Sequence, residues 1–222
     1  MKKLNITCAA IGLVFLMSQV ALAIPITVLP GAVAASSYLD APHMPGETVD
    51  GIHANNLYGY DMWLTSGVDA VAGSWISWDM GQVYSLEKAH IWNYNQNFPG
   101  AGGYNRGIKE VDIYVSTLTA PGVIGSVDWT LFKQDTFSIA NGLADDPGFD
   151  FDFSGTQARY VGFKIVTRQG ELLLDGSADG QYVGLSEIEF NGSVAVPEPS
   201  TMLLLGFGVI GLGVAGRRKL GK

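Results

Sequence analysis

Two polar segments of the chain combine aromatic rings with amide and guanidinium groups. One covers residues 57–61 and the other residues 95–106. Rings of this kind stack on the apolar faces of sugars, while amides and guanidinium groups bind sugar hydroxyls. The residues that could form such a saccharide site are Tyr58, Tyr60, Asn95, Phe98, Tyr104 and Arg106. In the alternative interpretation the rings cover one end of the fold, and Arg106 pairs with an acidic neighbour.

The sequence lacks the usual signatures of catalysis. It has no Gly-x-Ser-x-Gly nucleophile elbow and no His-Glu-x-x-His zinc motif. His43, His53 and His90 do not stand at metal-binding spacing. Carboxylate pairs for glycoside hydrolysis stay open, because acids far apart in sequence can meet in a fold. We therefore expect a protein that is not an enzyme, with a hydrolase as the less favoured alternative.

The elements that must position these groups are β-strands. Apolar and polar residues alternate, or aromatic and β-branched residues concentrate, in five segments: residues 75–78, 89–94, 111–115, 161–165 and 187–190. Glycine, proline, asparagine and aspartate separate the segments, and no window shows a helical stripe. The pattern predicts one all-β domain, an antiparallel sandwich, over residues 24–195.

The N-terminus has the form of a secretory signal peptide over residues 1–23. A positively charged start precedes an apolar core, and the small residues Ala21 and Ala23 mark the cleavage site for signal peptidase. The only cysteine, Cys8, lies inside this segment. The mature chain therefore has no thiol and forms no disulfide.

The mature segment is strongly acidic. Residues 24–196 hold 7 basic and 20 acidic residues, a net charge of −13, against −8 for the whole chain. Such a surface repels the phosphate backbone, so nucleic acid is excluded as a partner. The charge suits an extracellular domain that is soluble or carries calcium.

The last 27 residues combine a short polar motif, an apolar run and a basic end. Residues 196–201 read VPEPST, residues 202–216 are apolar, and Arg217, Arg218 and Lys219 follow. A helix of this length covers roughly 22 Å, less than the roughly 30 Å of a bilayer core, so the transmembrane span is marginal. The basic end favours a cytoplasmic C-terminus. A permanent single-pass anchor and a glycine face for helix pairing are the alternative interpretations.

Residues 196–222 closely resemble the PEP-CTERM sorting signal of Gram-negative bacteria. Pro197, Glu198 and Pro199 supply the named motif. The resemblance implies recognition by an exosortase-type membrane protease, a transient inner-membrane anchor and cleavage near the motif. It further implies export to the cell surface or extracellular matrix, in a bacterium that makes extracellular polysaccharide.

A second resemblance covers residues 34–191, nearly the whole mature domain. Seven short motifs follow the order of a discoidin-type domain, a galactose-binding-like fold that occurs in coagulation-factor C-type domains and many bacterial carbohydrate-binding modules. These motifs are residues 49–51, Trp63, and residues 75–81, 91–95, 106–116, 158–161 and 184–190. The resemblance implies a jelly-roll β-sandwich that binds its ligands on loops at one end.

Many members of that family tie their termini with a disulfide, which this chain lacks. A calcium ion is the usual substitute, and the resemblance implies Asp50 and Glu187 as its side-chain ligands. Backbone carbonyls near Ser37 and Asn55 would add to the six to eight oxygens that calcium takes. Alternatively, Asp50 is a turn residue bound to its own backbone, and Glu187 is a solvated strand carboxylate.

These features predict a non-catalytic exported surface or matrix protein whose β-sandwich binds extracellular polysaccharide. The alternative is a structural or adhesive matrix protein that contacts proteins or its own copies and has no sugar site.

Overall fold

The protein is built from β-strands joined by turns, as expected from its alternating sequence. The computed structural model describes residues 22–53, 58–68, 71–97, 102–170 and 180–195. Its strands are β1 (Ile24–Ile26), β2 (Val33–Ala35), β3 (Trp63–Leu64), β4 (Trp75–Asn93), β5 (Glu110–Ser116), β6 (Thr130–Thr136), β7 (Phe149–Ile165) and β8 (Gly184–Val194). The helical segments in the described residues are 3₁₀ turns at Pro30–Ala32, Ala41–His43, Pro45–Val49 and Gly103–Arg106.

Two long strands organise the fold because each passes through both of its layers. Residues 75–79 of β4 pair with residues 160–164 of β7, and residues 84–91 pair with residues 149–158. Between the two halves of β4 the register shifts. Gly81 lies there with a φ of +80°, which lets the strand bend without ending.

The hydrogen-bonded path of the strands is β1-β8-β4-β7-β5-β6, with β2 on β4 and β3 on β8. Because β2 pairs with the first half of β4 and β8 with its second half, this path folds over into two layers. All pairs between these strands are antiparallel. At one edge, Ile24 of β1 lies opposite Gly192 near the end of β8. The antiparallel sandwich predicted from the sequence is confirmed.

Aromatic rings fill the space between the layers. Trp78 of β4 meets Phe163 of β7 at 4.9 Å and Phe190 of β8 at 5.9 Å, both edge-on. Phe132 of β6 stacks on Phe153 of β7 at 5.3 Å between ring centroids. Such pairs add about 0.5–1.5 kcal/mol each to the burial of the rings themselves. These rings belong to the hydrophobic core that the two layers enclose.

The four tryptophans of β3 and β4 divide into two classes. Trp63 and Trp78 are fully buried, whereas Trp75 and Trp92 are half-buried. The ring of His53 stacks on Trp92 at 4.4 Å, so the outer face of this tryptophan is covered.

The predicted export segments fall mostly outside the described residues. These include the signal peptide up to Ala21, the motif at residues 197–199 and the apolar run at 202–216. Ala23 is described and lies exposed just before β1. Across the ranges that the structure covers, no helix has both the length and the apolar character needed to span a membrane.

Candidate functional site

One end of the sandwich gathers residues 58–62, 94–97, 102–106 and 180–183, which we call the loop end. Tyr58 and Tyr60 protrude there, with 60% and 45% of their surfaces exposed. Their rings stack on each other at 5.3 Å with an interplanar angle of 20°. Two exposed rings stacked side by side form an apolar patch on the surface, a feature that is often functional.

The loop that carries the two rings, residues 58–61, is called the aromatic loop, and it packs on the ring of Tyr94. Gly59 has a φ of +68°, and a Cβ at this position would lie 2.2 Å from the hydroxyl oxygen of Tyr94. Only glycine therefore lets the loop rest on the buried Tyr94 ring. From the side, Nε2 of His43 lies 3.2 Å from the carbonyl oxygen of Tyr58, and its ring meets Tyr60 edge-on. The second ring nitrogen of His43 contacts the carboxylate of Asp40.

Gln96 joins the aromatic loop to the segment that contains Arg106. Its Oε1 accepts hydrogen bonds from the Tyr94 hydroxyl at 3.2 Å and from the Arg106 guanidinium at 2.8 Å. The guanidinium also lies 4.7 Å from the ring centre of Tyr182. Arg106 is thus brought to the same end as Tyr58 and is held half-buried in a polar bridge.

Asn95 and Tyr104 face a different neighbour, the loop before β7. Asn95 is only 1% exposed; its Nδ2 donates to the carbonyl of Leu143 at 2.8 Å, and its Oδ1 accepts from the amide of Gly142 at 2.9 Å. The half-buried Tyr104 ring packs over Gly142, where a Cβ would lie 2.8 Å from the ring. Asn95 is therefore committed to the fold in this conformation. The other predicted contact residue, Phe98, lies outside the described residues.

Three carboxylates meet beside the aromatic loop. One oxygen from each of Glu47, Asp50 and Asp61 lies within 4.8 Å of the others. Partial burial raises the pKa of Glu47, and the nearby charges of Asp50 and Asp61 raise it further. Burial and Asp61 likewise raise the pKa of Asp50, although Asp50 also accepts the amide of Ile52 at 2.8 Å in a local turn. Like charges held this close without a cation oppose one another.

Glu187 lies against the turn formed by Asp50 and Gly51. It is 2% exposed, and its Oε1 accepts the Gly51 amide at 3.2 Å. Its Oε2 and the neighbouring Ser186 Oγ are buried without a hydrogen-bond partner among the residues described. Burial raises the pKa of Glu187 to about 8, with the charges of Asp50 and Glu189 adding to the effect. This is not the solvated strand carboxylate of the alternative interpretation.

The residues present fit a calcium ion. Ligands of one ion at about 2.3–2.6 Å lie no more than about 5 Å apart, which matches the spacing of Glu47, Asp50 and Asp61. Glu187 is outside this group of three, but its carboxyl binds the Gly51 amide next to Asp50, and its buried Oε2 has no partner among the described residues. Of the predicted backbone donors, the carbonyl of Ser37 accepts the Trp63 indole at 2.9 Å, and Asn55 lies outside the described residues.

Glu47 and Asp61 were not expected as site residues from the sequence. The usable signal was weak: Glu47 stands three residues before Asp50 in a Pro-Gly segment, which is one turn of a 3₁₀ helix. Asp61 is the last residue of the aromatic loop, and only the fold of that loop brings it to the other two.

The C-terminal segment matches a known family. Residues 195–219 fit the model of the PEP-CTERM protein-sorting motif, which confirms the resemblance of this part of the chain. No curated protein matches the sequence.

Several solved structures share the fold. A family 89 glycoside hydrolase from Clostridium perfringens, in complex with PUGNAc, is 18% identical with a TM-score of 0.50, covering 79% of this chain and 16% of that chain. Truncated AlyQ with CBM32 and alginate lyase domains is 15% identical with a TM-score of 0.50, covering 79% and 35% of the two chains. The family 32 CBM of C. perfringens NanJ, in complex with galactose, is 16% identical with a TM-score of 0.49, covering 77% and 99%.

The similarity shows the fold alone, and the predicted jelly-roll β-sandwich is confirmed. This chain spans about a sixth of the length of the glycoside hydrolase and about a third of that of AlyQ.

Proposed function

We propose that this chain is an exported, non-catalytic surface or matrix protein that binds extracellular polysaccharide at its loop end. The observation that carries the proposal is the stacked, exposed pair of Tyr58 and Tyr60 beside the Gln96–Arg106 bridge. Flat rings next to a guanidinium suit the apolar face and the hydroxyls of a sugar ring. Similarity to carbohydrate-binding modules in fold supports the same ligand class.

The sorting motif at residues 195–219 supports export. On this proposal signal peptidase cleaves after Ala23, and an exosortase-type protease acts near Pro197, Glu198 and Pro199. The chain is held briefly at the inner membrane before it reaches the cell surface or matrix.

Calcium belongs to the proposal as a structural ion. Glu47, Asp50 and Asp61 would hold it, with Glu187 as a further ligand. The ion would neutralise the mutual repulsion of these carboxylates and join the early turn to β8, a link that the family makes with a disulfide in other members.

Calorimetric titration of the full-length protein in detergent with exopolysaccharide purified from the producing bacterium tests the sugar site. We expect saturable binding that Tyr60→Ala weakens roughly 30-fold, since truncating a dominant contact ring costs about 2 kcal/mol. Tyr60→Phe keeps the ring and should retain most of the affinity. Tyr114→Ala, in the middle of β5 and away from the loop end, is the matched control.

A structural or adhesive role is the second candidate. The segment between β5 and β6 exposes the aliphatic side chains of Leu118, Val123 and Val127. Exposed apolar side chains of this kind are often covered by a protein partner. Absence of heat from the folded protein with the exopolysaccharide, together with self-association that Val127→Asp abolishes, would favour this role over sugar binding.

A further inference from the structure

The carboxylate cluster and the aromatic loop are one continuous piece of chain. Asp61 directly follows Tyr60, and its φ of +59° lies in the left-handed region that residues other than glycine seldom adopt. Aspartate tolerates this conformation better than most residues, so the chain turns sharply at Asp61, directly after Tyr60. Whatever fixes the Asp61 carboxylate therefore also fixes the direction in which the preceding tyrosine leaves the backbone.

The other two carboxylates belong to a rigid frame. Glu47 lies in the 3₁₀ turn Pro45–Val49, and Asp50 follows it directly. Thr48, inside this turn, is fully buried; its hydroxyl donates to the Pro45 carbonyl at 2.8 Å and accepts the Trp78 indole at 3.0 Å. One donor of the cluster is thus on the loop, and two are attached to the core.

The interaction between these three carboxylates depends on whether a cation lies between them. Without one, the three carboxylates, with one oxygen of each within 4.8 Å of the others, repel each other. With a divalent ion between them, the same groups are drawn together. The buried Oε2 of Glu187, without a partner in the described part of the chain, lies at the Asp50–Gly51 turn and is an independent sign that a positive ligand is accommodated there.

We propose that a calcium ion bound by Glu47, Asp50 and Asp61 fastens the aromatic loop to the core and thereby sets the Tyr58–Tyr60 pair for sugar binding. Sugar affinity is then regulated by calcium, and this inference rests on the proposed sugar-binding function. Coupling between two sites is typically about 5–150-fold. We expect calcium to tighten binding of the exopolysaccharide about tenfold.

The test has a readout that needs no sugar. Full-length protein is labelled with 3-fluorotyrosine, and the ¹⁹F NMR signals used are assigned with Tyr58→Phe, Tyr60→Phe and Tyr114→Phe. Calcium chloride is titrated first alone, against magnesium chloride as comparison, and then with exopolysaccharide. Calcium is expected to shift the signals of both loop tyrosines and to leave that of Tyr114 in place.

Asp61→Asn should remove the calcium response, because asparagine tolerates a positive φ but brings no charge. Glu47→Gln is the second variant, so that the result does not depend on one substitution. Asp145→Asn removes an equal charge from an exposed position in the loop before β7, and it should respond like the unaltered protein.

Each outcome separates the inference from the function it rests on. Loop signals that move, with sugar binding tightened about tenfold and both effects lost in Asp61→Asn, support it. Calcium binding without movement of the loop signals, and with sugar affinity unchanged, overturns the coupling and leaves sugar binding intact. Moving loop signals without any sugar binding support the calcium clamp and overturn the proposed function. No calcium binding overturns the inference.

Discussion

Substitution of Glu187 by glutamine isolates the effect of one buried charge on stability. The pKa of this carboxyl is about 8 in the folded chain, against 4.5 as its ordinary value. The folded state therefore holds the proton more tightly than the unfolded state. The stabilisation by this group is complete below about pH 4.5 and is lost as the pH rises through 8.

The magnitude follows from the pKa difference. One unit is worth about 1.4 kcal/mol, so the loss between pH 4.5 and pH 7 is about 3 kcal/mol. Glu187 is 2% exposed, so solvent screens little of this amount. A glutamine side chain at this position cannot ionise and can keep the bond from the Gly51 amide. Any constant packing cost of the amide cancels when the two proteins are compared across pH.

Urea denaturation in EDTA, from pH 4.5 to pH 8, measures the effect. We expect the stability of Glu187→Gln relative to the unaltered protein to rise by about 3 kcal/mol between pH 4.5 and 7. Glu189→Gln, at an exposed position on the same strand, should show a far smaller rise, because it removes only a neighbouring charge. Calcium should cancel most of the difference, because the ion stabilises the ionised carboxyl. Parallel pH profiles of the two proteins in EDTA would refute the reasoning.

Two further substitutions test the base of the loop end. Gly59→Ala should destabilise the fold by about 2–3 kcal/mol in thermal unfolding, because its Cβ would lie 2.2 Å from the Tyr94 hydroxyl and its φ is positive. Gly81→Ala, which has open space around its Cβ, is the control and should cost only about 1 kcal/mol. Equal losses for both glycines would contradict the steric argument. Asn95→Ala should lower the free energy of unfolding by about 2–3 kcal/mol in urea denaturation, because it removes the hydrogen bonds to the Gly142 amide and the Leu143 carbonyl. Asn97→Ala on the surface is the control and should change it by less than about 0.5 kcal/mol. A loss below about 1 kcal/mol for Asn95 would mean that water replaces both bonds.

The strands could be predicted wherever one side of the strand is buried. Alternation located β5 and the inner half of β7, because their apolar residues all face the core. β6 was not expected, since most of its side chains are exposed and its sequence carries no apolar period. The segments at 75–78 and 89–94 were predicted as separate strands, but they form the single strand β4, because Gly81 bends the chain instead of ending it.

Residues of the candidate site could be predicted only where they belong to a recognisable sequence motif. Asp50 and Glu187 came from family resemblance, and they do lie together at one turn. Glu47 and Asp61 join them through the path of loops, which no local pattern records. The roles of the adjacent amides were equally hidden: Asn95 binds the loop before β7, whereas Gln96 bridges to Arg106.

The pairing of Ile24 with Gly192 fixes where the two chain ends of the domain lie relative to the loop end. Both ends of the domain leave from the same pole, because β1 lies beside the last residues of β8. Gly184, at the start of β8, packs against Tyr94 at the loop end. The 11 residues of β8 separate the two poles by roughly 35 Å. A tether at either terminus would therefore hold the tyrosine pair at the pole farthest from the point of attachment.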